Sequence, residues 1–135
     1  MTNVNTLAVL AATVASWLVG AAWYMALGKL WMEAIGKTQE ELVGPSGKPS
    51  PVPFIISFLA ELVMAVVLAL LVHRAGPATV FNGIATGFLA WLGFVATSMI
   101  VNHRFGGDRP MLTAIDSGHW LAVLVVQGAV IGLFG

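Results

Sequence analysis

Four apolar stretches, each roughly 20 residues long or more, dominate this chain. At about 1.5 Å of rise per residue each matches the roughly 30 Å hydrocarbon core of a bilayer. They run from about Thr6 to Leu27, Val52 to Val72, Thr79 to Val101 and Thr113 to Phe134. The first and third contain no ionisable side chain, the second contains Glu61, and the fourth carries Asp116 and His119 near its start. The expected fold is therefore all-α: one domain over 1–135, an integral membrane bundle of four transmembrane helices, with a short interfacial amphipathic helix after the first. A cleaved signal peptide is the competing reading of the first stretch. It is disfavoured because no Lys or Arg precedes the apolar run and because that run is too long for a signal core.

Composition narrows the function classes. Only 9% of residues are charged, against about a quarter in soluble domains, and six acidic and six basic residues cancel. No basic surface is left for a phosphate backbone, so no nucleic-acid partner is expected. The absence of cysteine removes disulfides, thiolate metal ligation and a thiol nucleophile.

The connections divide the chain in the same places. Gly44-Pro-Ser-Gly-Lys-Pro-Ser-Pro-Val-Pro53 cannot continue a helix, and Ser50-Pro51 makes a helix start. Before it, Lys29-Leu-Trp-Met-Glu-Ala-Ile-Gly36 alternates apolar and charged residues at helical spacing, as a helix lying in the headgroup plane does. Thr38-x-x-Glu41 has capping-box spacing and predicts one more helical turn, closed by Gly44. Ala75-Gly-Pro-Ala78 and Gly106-Gly-Asp-Arg-Pro110 are short links, which makes their flanking spans antiparallel neighbours. Lys29, Lys37 and Lys48 share one side with Arg104 and Arg109, while Arg74 stands on the other. The positive-inside rule then places both long loops in the cytoplasm and both termini outside, in a bacterial inner membrane. Trp23 and Trp31, with Tyr24, fall near the cytoplasmic end of the first span, where Trp23 and Trp31 are expected to be interface anchors. Trp17 and Trp91 lie deeper and either pack or line a cavity.

Small residues mark the helix contacts. Ala12-x3-Ser16-x3-Gly20, Gly83-x3-Gly87 and Gly128-x3-Gly132 each form a ridge that lets backbones approach, and Ser57, Glu61, Ala65 and Ala69 form a fourth. Bundle packing and homodimerisation both use such ridges. The expected partners are the lipid bilayer and either a second copy, meeting at Gly83/Gly87 or Gly128/Gly132, or a larger membrane complex.

One stretch is distinctive: Gly20-Ala-Ala-Trp23-Tyr24, then Gly28-Lys-Leu-Trp31-Met32, then Gly36-Lys-Thr38-Gln-Glu40-Glu41-Leu. Together with Trp91-Leu-Gly-Phe94, Asn102 and Ile115-Asp-Ser-Gly118, it resembles the pattern of DUF1761, a family of small bacterial and fungal membrane proteins. The resemblance covers nearly the whole length. It implies a four-span membrane domain and no established activity.

Glu61 is the residue with most chemical meaning. It falls eight residues after Pro53, about 12 Å into the core, where an ionised carboxylate costs several kcal/mol unless partnered. Either it is functional or it makes a neutral interhelical hydrogen bond. His119 falls nine residues after Pro110, so the two are expected at equal depth and in contact, with the missing side chain of Gly20 letting helices close around them. Tyr24 is the alternative partner of Glu61. Asp116, three residues after Thr113, is expected to cap the fourth helix, and Gln127 continues the polar stripe of Asp116 and His119. Glu61, His119, Asp116, Tyr24 and Gln127 thus form the candidate buried polar cluster. With His103 they include metal-ligand types, but no spacing supports a metal site; neither a metal nor another cofactor is expected.

Three classes of function fit these residues. The first is a carrier or conduit for a proton or small solute that uses the buried carboxylate. The second is an accessory or assembly subunit of a larger membrane complex. A membrane enzyme is least supported, because no Ser-His-Asp pattern, phosphate loop or dinucleotide fingerprint is present.

Overall fold

The computed structural model describes residues 4–135. Its first helix, α1, is Thr6–Ile35, opened by Asn5, whose side-chain oxygen accepts from the Ala8 amide at 3.2 Å. At 30 residues α1 is about 45 Å long, some 15 Å more than the hydrocarbon core. The separate amphipathic helix expected at Lys29–Gly36 is instead the last turns of α1. A lone Gly28 costs a helix only about 1 kcal/mol and cannot end it. The chain turns at Gly36, whose φ of 71° suits glycine, while Met32 O accepts from Gly36 N and Lys37 N at 2.9 and 3.2 Å.

The short helix that does follow the first span is α2, Gln39–Val43, capped by Thr38 Oγ1 accepting from Glu41 N at 3.3 Å and closed at Gly44. The second span is α3, Val52–Ala75, begun by Pro51 and Pro53. The third is α4, Val80–Phe105, with Thr79 as its cap. Within α4, Trp91–Ala96 widens into a π-helical stretch. The hydroxyls of Thr97 and Ser98 bond back to the carbonyls of Gly93 and Phe94, four residues earlier.

The last span, α5, is Pro110–Phe134, and it starts three residues earlier than the apolar pattern suggests, with Pro110 in its first turn. That start overturns the capping role of Thr113 and Asp116. Thr113 Oγ1 is inside the helix, where His103 Nδ1 lies 2.8 Å away and Arg104 Nη2 donates to it at 3.1 Å. Asp116 belongs to the second turn.

The helices α1, α3, α4 and α5 are each long and apolar enough to cross a membrane. α5 is the hub and touches all three other spans, most extensively α4 and α1. Against α4 it packs glycine on glycine. A Cβ at Gly83 would overlap the Gly128 carbonyl, one at Gly87 the Leu124 carbonyl, and one at Gly132 the Thr79 carbonyl. The Gly83/Gly87 and Gly128/Gly132 ridges are therefore spent against each other inside one chain, which removes them as a homodimer contact. Against α1 the fit is ring into gap: Gly20 receives His119, and Gly118 receives the Trp23 indole. On α3, Ala65, Leu68, Ala69 and Val72 close the core against Val9 and Ala12 of α1 and Leu124 and Ile131 of α5.

Candidate functional site

Apolar spans give a polar side chain few partners, so each buried one is informative. Gln127 on α5 ties three helices together. Its Nε2 donates to Ser16 Oγ on α1 at 3.1 Å and to the Glu61 backbone oxygen on α3 at 2.9 Å. Glu61 is 1% exposed. Ser57, one turn back on the same ridge, donates its hydroxyl to Glu61 Oε2 at 2.9 Å, and Oε1 has no partner. Gln127 Oε1 and His119 Nδ1 are also buried without one.

A second polar contact lies nearer the start of α5. The Tyr24 hydroxyl donates to Asp116 Oδ1 at 2.6 Å, linking α1 to α5. The Tyr24 ring stands 4.9 Å from the imidazole of His119 and 5.9 Å from the indole of Trp31, measured between centroids. His119 is held on its other side by Trp120 at 4.6 Å.

Of these residues Tyr24, Trp31, Ser57, Glu61 and His119 line an open cleft of about 740 Å³ between α1, α2 and the first turns of α3. Trp17, Tyr24, Trp31 and Phe54 supply aromatic wall, Met25 and Met32 line it further, and Gln39 and Leu42 of α2 stand beside it. Gln39, Ser57, Glu61 and His119 contribute polar side chains, and among the described residues no Lys or Arg lines it.

The structure thus brings Glu61, His119 and Tyr24 to one cleft, with Asp116 bound to Tyr24 and Gln127 behind Glu61. It does not join Glu61 to His119 by a hydrogen bond. The α5 residue that reaches Glu61 is Gln127, eight residues or about 12 Å beyond His119, so α3 and α5 are offset along their axes. Equal distance from two prolines did not mean equal depth. Glu61 takes its hydrogen bond from Ser57 rather than Tyr24, a partner that the four-residue spacing could have indicated. Gly20 does have the space-making role expected of it, but for His119 alone.

The tryptophans do more than anchor. Trp23 Nε1 donates to Ile115 O at 3.0 Å, Trp91 Nε1 to Ser117 O at 2.7 Å and Trp17 Nε1 to Phe54 O at 3.2 Å. Trp23 therefore bridges α1 and α5, and Trp31 lines the cleft. Gly118, which makes room for Trp23, stands out in the sequence only as the end of the Ile115-Asp-Ser-Gly118 stretch, which signals no packing role. Among the described residues no three His, Asp or Glu side chains are grouped so as to hold a metal ion.

Four apolar helices long enough to cross a bilayer, with a carboxyl group buried at the edge of a cleft, define a small multi-pass helical membrane protein. The chain belongs to the DUF1761 family, described as protein of unknown function, whose family model matches residues 7–132. No curated protein and no solved structure matches the chain.

Proposed function

We propose that this protein is a small membrane carrier or conduit in which Glu61 meets a proton or a small solute inside the cleft. The observation that supports this reading is the unpartnered Oε1 of a carboxyl group that is 1% exposed and lines a cavity of about 740 Å³. A carboxyl group that served only as interhelical glue would have its acceptors filled by the neighbouring helix. Here Gln127 passes its amide hydrogens to the Glu61 backbone and to Ser16, and the buried Oε1 of Glu61 keeps no hydrogen-bond partner.

Orientation gives the cleft a side. Its lining includes Gly28, Trp31, Gln39, Leu42 and Pro53, at the end of the bundle that carries Lys29, Lys37 and Lys48. By the positive-inside rule the cleft faces the cytoplasm of a bacterial cell, with both termini outside. The working form is a homodimer or part of a larger membrane complex, joined through faces other than the glycine ridges.

The test is proton flux in proteoliposomes. Vesicles holding the full chain and an internal pH-sensitive dye are given a potassium diffusion potential with valinomycin. Flux above that of empty vesicles, lost in Glu61→Gln, is the expected result. Equal rates in empty, wild-type and Glu61→Gln vesicles would sink the carrier reading and favour that of an accessory subunit.

A further inference from the structure

We infer that the cleft binds a lipophilic cation, an organic ammonium or phosphonium ion whose charge meets Glu61 and whose apolar body lies against the aromatic wall. The inference rests on the carrier reading and deepens it by naming the ligand class. Charge is the first ground. Among the described residues Glu61 is the only carboxylate in the lining, and neither Lys nor Arg accompanies it. His119 is the one other titratable side chain there besides Tyr24, so an anion would find no permanently charged cation.

The free acceptor is the second ground. Ser57 donates to Oε2, Ser16 of α1 stands beside the carboxyl group, and Oε1 is buried without a hydrogen-bond partner. A cation at that oxygen would offset the cost of holding a carboxylate out of water.

The walls are the third ground. Trp17, Tyr24, Trp31 and Phe54 present π-systems, and a desolvated cation close to such a ring face is stabilised by its quadrupole. Met25 and Met32 are unbranched and polarisable, so they can fit apolar bodies of different outline. A strongly hydrated inorganic ion would have no use for these walls; a cation with an apolar body uses them and the carboxyl group together.

The experiment compares two probes of nearly equal shape and opposite charge, tetraphenylphosphonium and tetraphenylborate. Each is titrated by calorimetry into the full chain in maltoside micelles, with protein-free micelles as the blank. The expected result is phosphonium binding at least ~10-fold tighter than borate binding, a preference worth about 1.4 kcal/mol. Glu61→Gln, which keeps the side-chain shape, should abolish that preference, and Trp31→Leu should weaken phosphonium binding several-fold. If Glu61→Gln does not fold by circular dichroism, the Trp31→Leu comparison and the wild-type preference decide the matter. Equal affinities, tighter borate binding, or a preference that survives Glu61→Gln would overturn the inference. If neither probe binds while proton flux still requires Glu61, the lipophilic-cation assignment falls and the carrier reading stands. Loss of both results removes both.

Discussion

Gly20 and His119 fit by subtraction: a Cβ at residue 20 would stand 2.7 Å from His119 Nε2. The imidazole cannot swing away freely, because Tyr24 and Trp120 flank it at centroid distances of 4.9 and 4.6 Å. Gly20→Ala is therefore an overpacking change and should lower stability in detergent by about 1–3 kcal/mol. Shrinking the imidazole in a Gly20→Ala/His119→Ser double variant should recover part of that loss. Additive losses in the two single variants, measured by denaturant unfolding, would show that the contact is not the cause.

The glycines facing α4 and α5 should be less forgiving. At Gly83, Gly87 and Gly132 the added carbon meets backbone carbonyls, which cannot rotate aside as a side chain can. Gly83→Ala is expected to cost more than Gly20→Ala, whereas Gly28→Ala, with no heavy atom within 4 Å of the new carbon, should be neutral or stabilising by up to about 1 kcal/mol. Yield of folded protein and thermal midpoint report the order. A Gly83→Ala variant that folds normally but changes only oligomeric mass would contradict the packing within one chain.

How much of this was legible in the sequence follows from what each signal encodes. Four helices could be read from four apolar runs because span length is fixed by the bilayer, a one-dimensional constraint. Thr38 and Gly44 were legible as the ends of α2 because caps are local. The end of α1 was not, because Gly28 weakens a helix without stopping it. Axial offset between helices leaves no local mark, which is why Glu61 was matched to His119 when Gln127 is the α5 residue that reaches it. Small-residue ridges announce close approach but do not say whether the partner is another span or another chain. Nor does a tryptophan near a span end disclose whether its indole N–H meets headgroups or, as at Trp23, the Ile115 carbonyl.

Tyr24 and Asp116 offer a test of the link between α1 and α5. The hydroxyl donates at 2.6 Å to a half-buried carboxylate, and bonds to charged groups are worth about 1.5–3 kcal/mol when well shielded. With partial exposure, Tyr24→Phe should cost about 1–2 kcal/mol, and Asp116→Asn less, because an amide oxygen still accepts. Chemical denaturation of both variants checks the order; an unchanged Tyr24→Phe would mean that water replaces the hydroxyl.

Topology can be checked without purification. Lys29, Lys37, Lys48, Arg104 and Arg109 share one side of the membrane and Arg74 stands on the other, so a reporter fused after Gly135 should read as external. Changing Arg104 and Arg109 to Gln should weaken that bias and give mixed orientation. A cytoplasmic carboxy terminus in the unmodified chain would reverse the side on which the cleft opens.

Gln127 gives the sharpest contrast between two substitutions at one site. Its amide bridges Ser16 Oγ and the Glu61 backbone oxygen, yet neither partner depends on it. Ser16 already donates to Thr13 O at 3.1 Å, and the Glu61 carbonyl lies within α3, four residues before Ala65 on the same helix. Gln127 Oε1 is buried with no donor, so the amide also carries a desolvation cost. Gln127→Leu strands no donor and removes that unsatisfied oxygen, and its net effect should fall within about 1 kcal/mol of zero. Gln127→Glu keeps the shape but replaces the donating amide with a second acceptor group beside Glu61. Like charges in a low-dielectric core repel, and a carboxylate there has no cation to meet it. That variant should be the least stable of the Gln127 series, with folded yield in detergent well below that of Gln127→Leu. Equal stability of the two would mean that residue 127 is solvated in the membrane and that the buried tie between α1, α3 and α5 does not form.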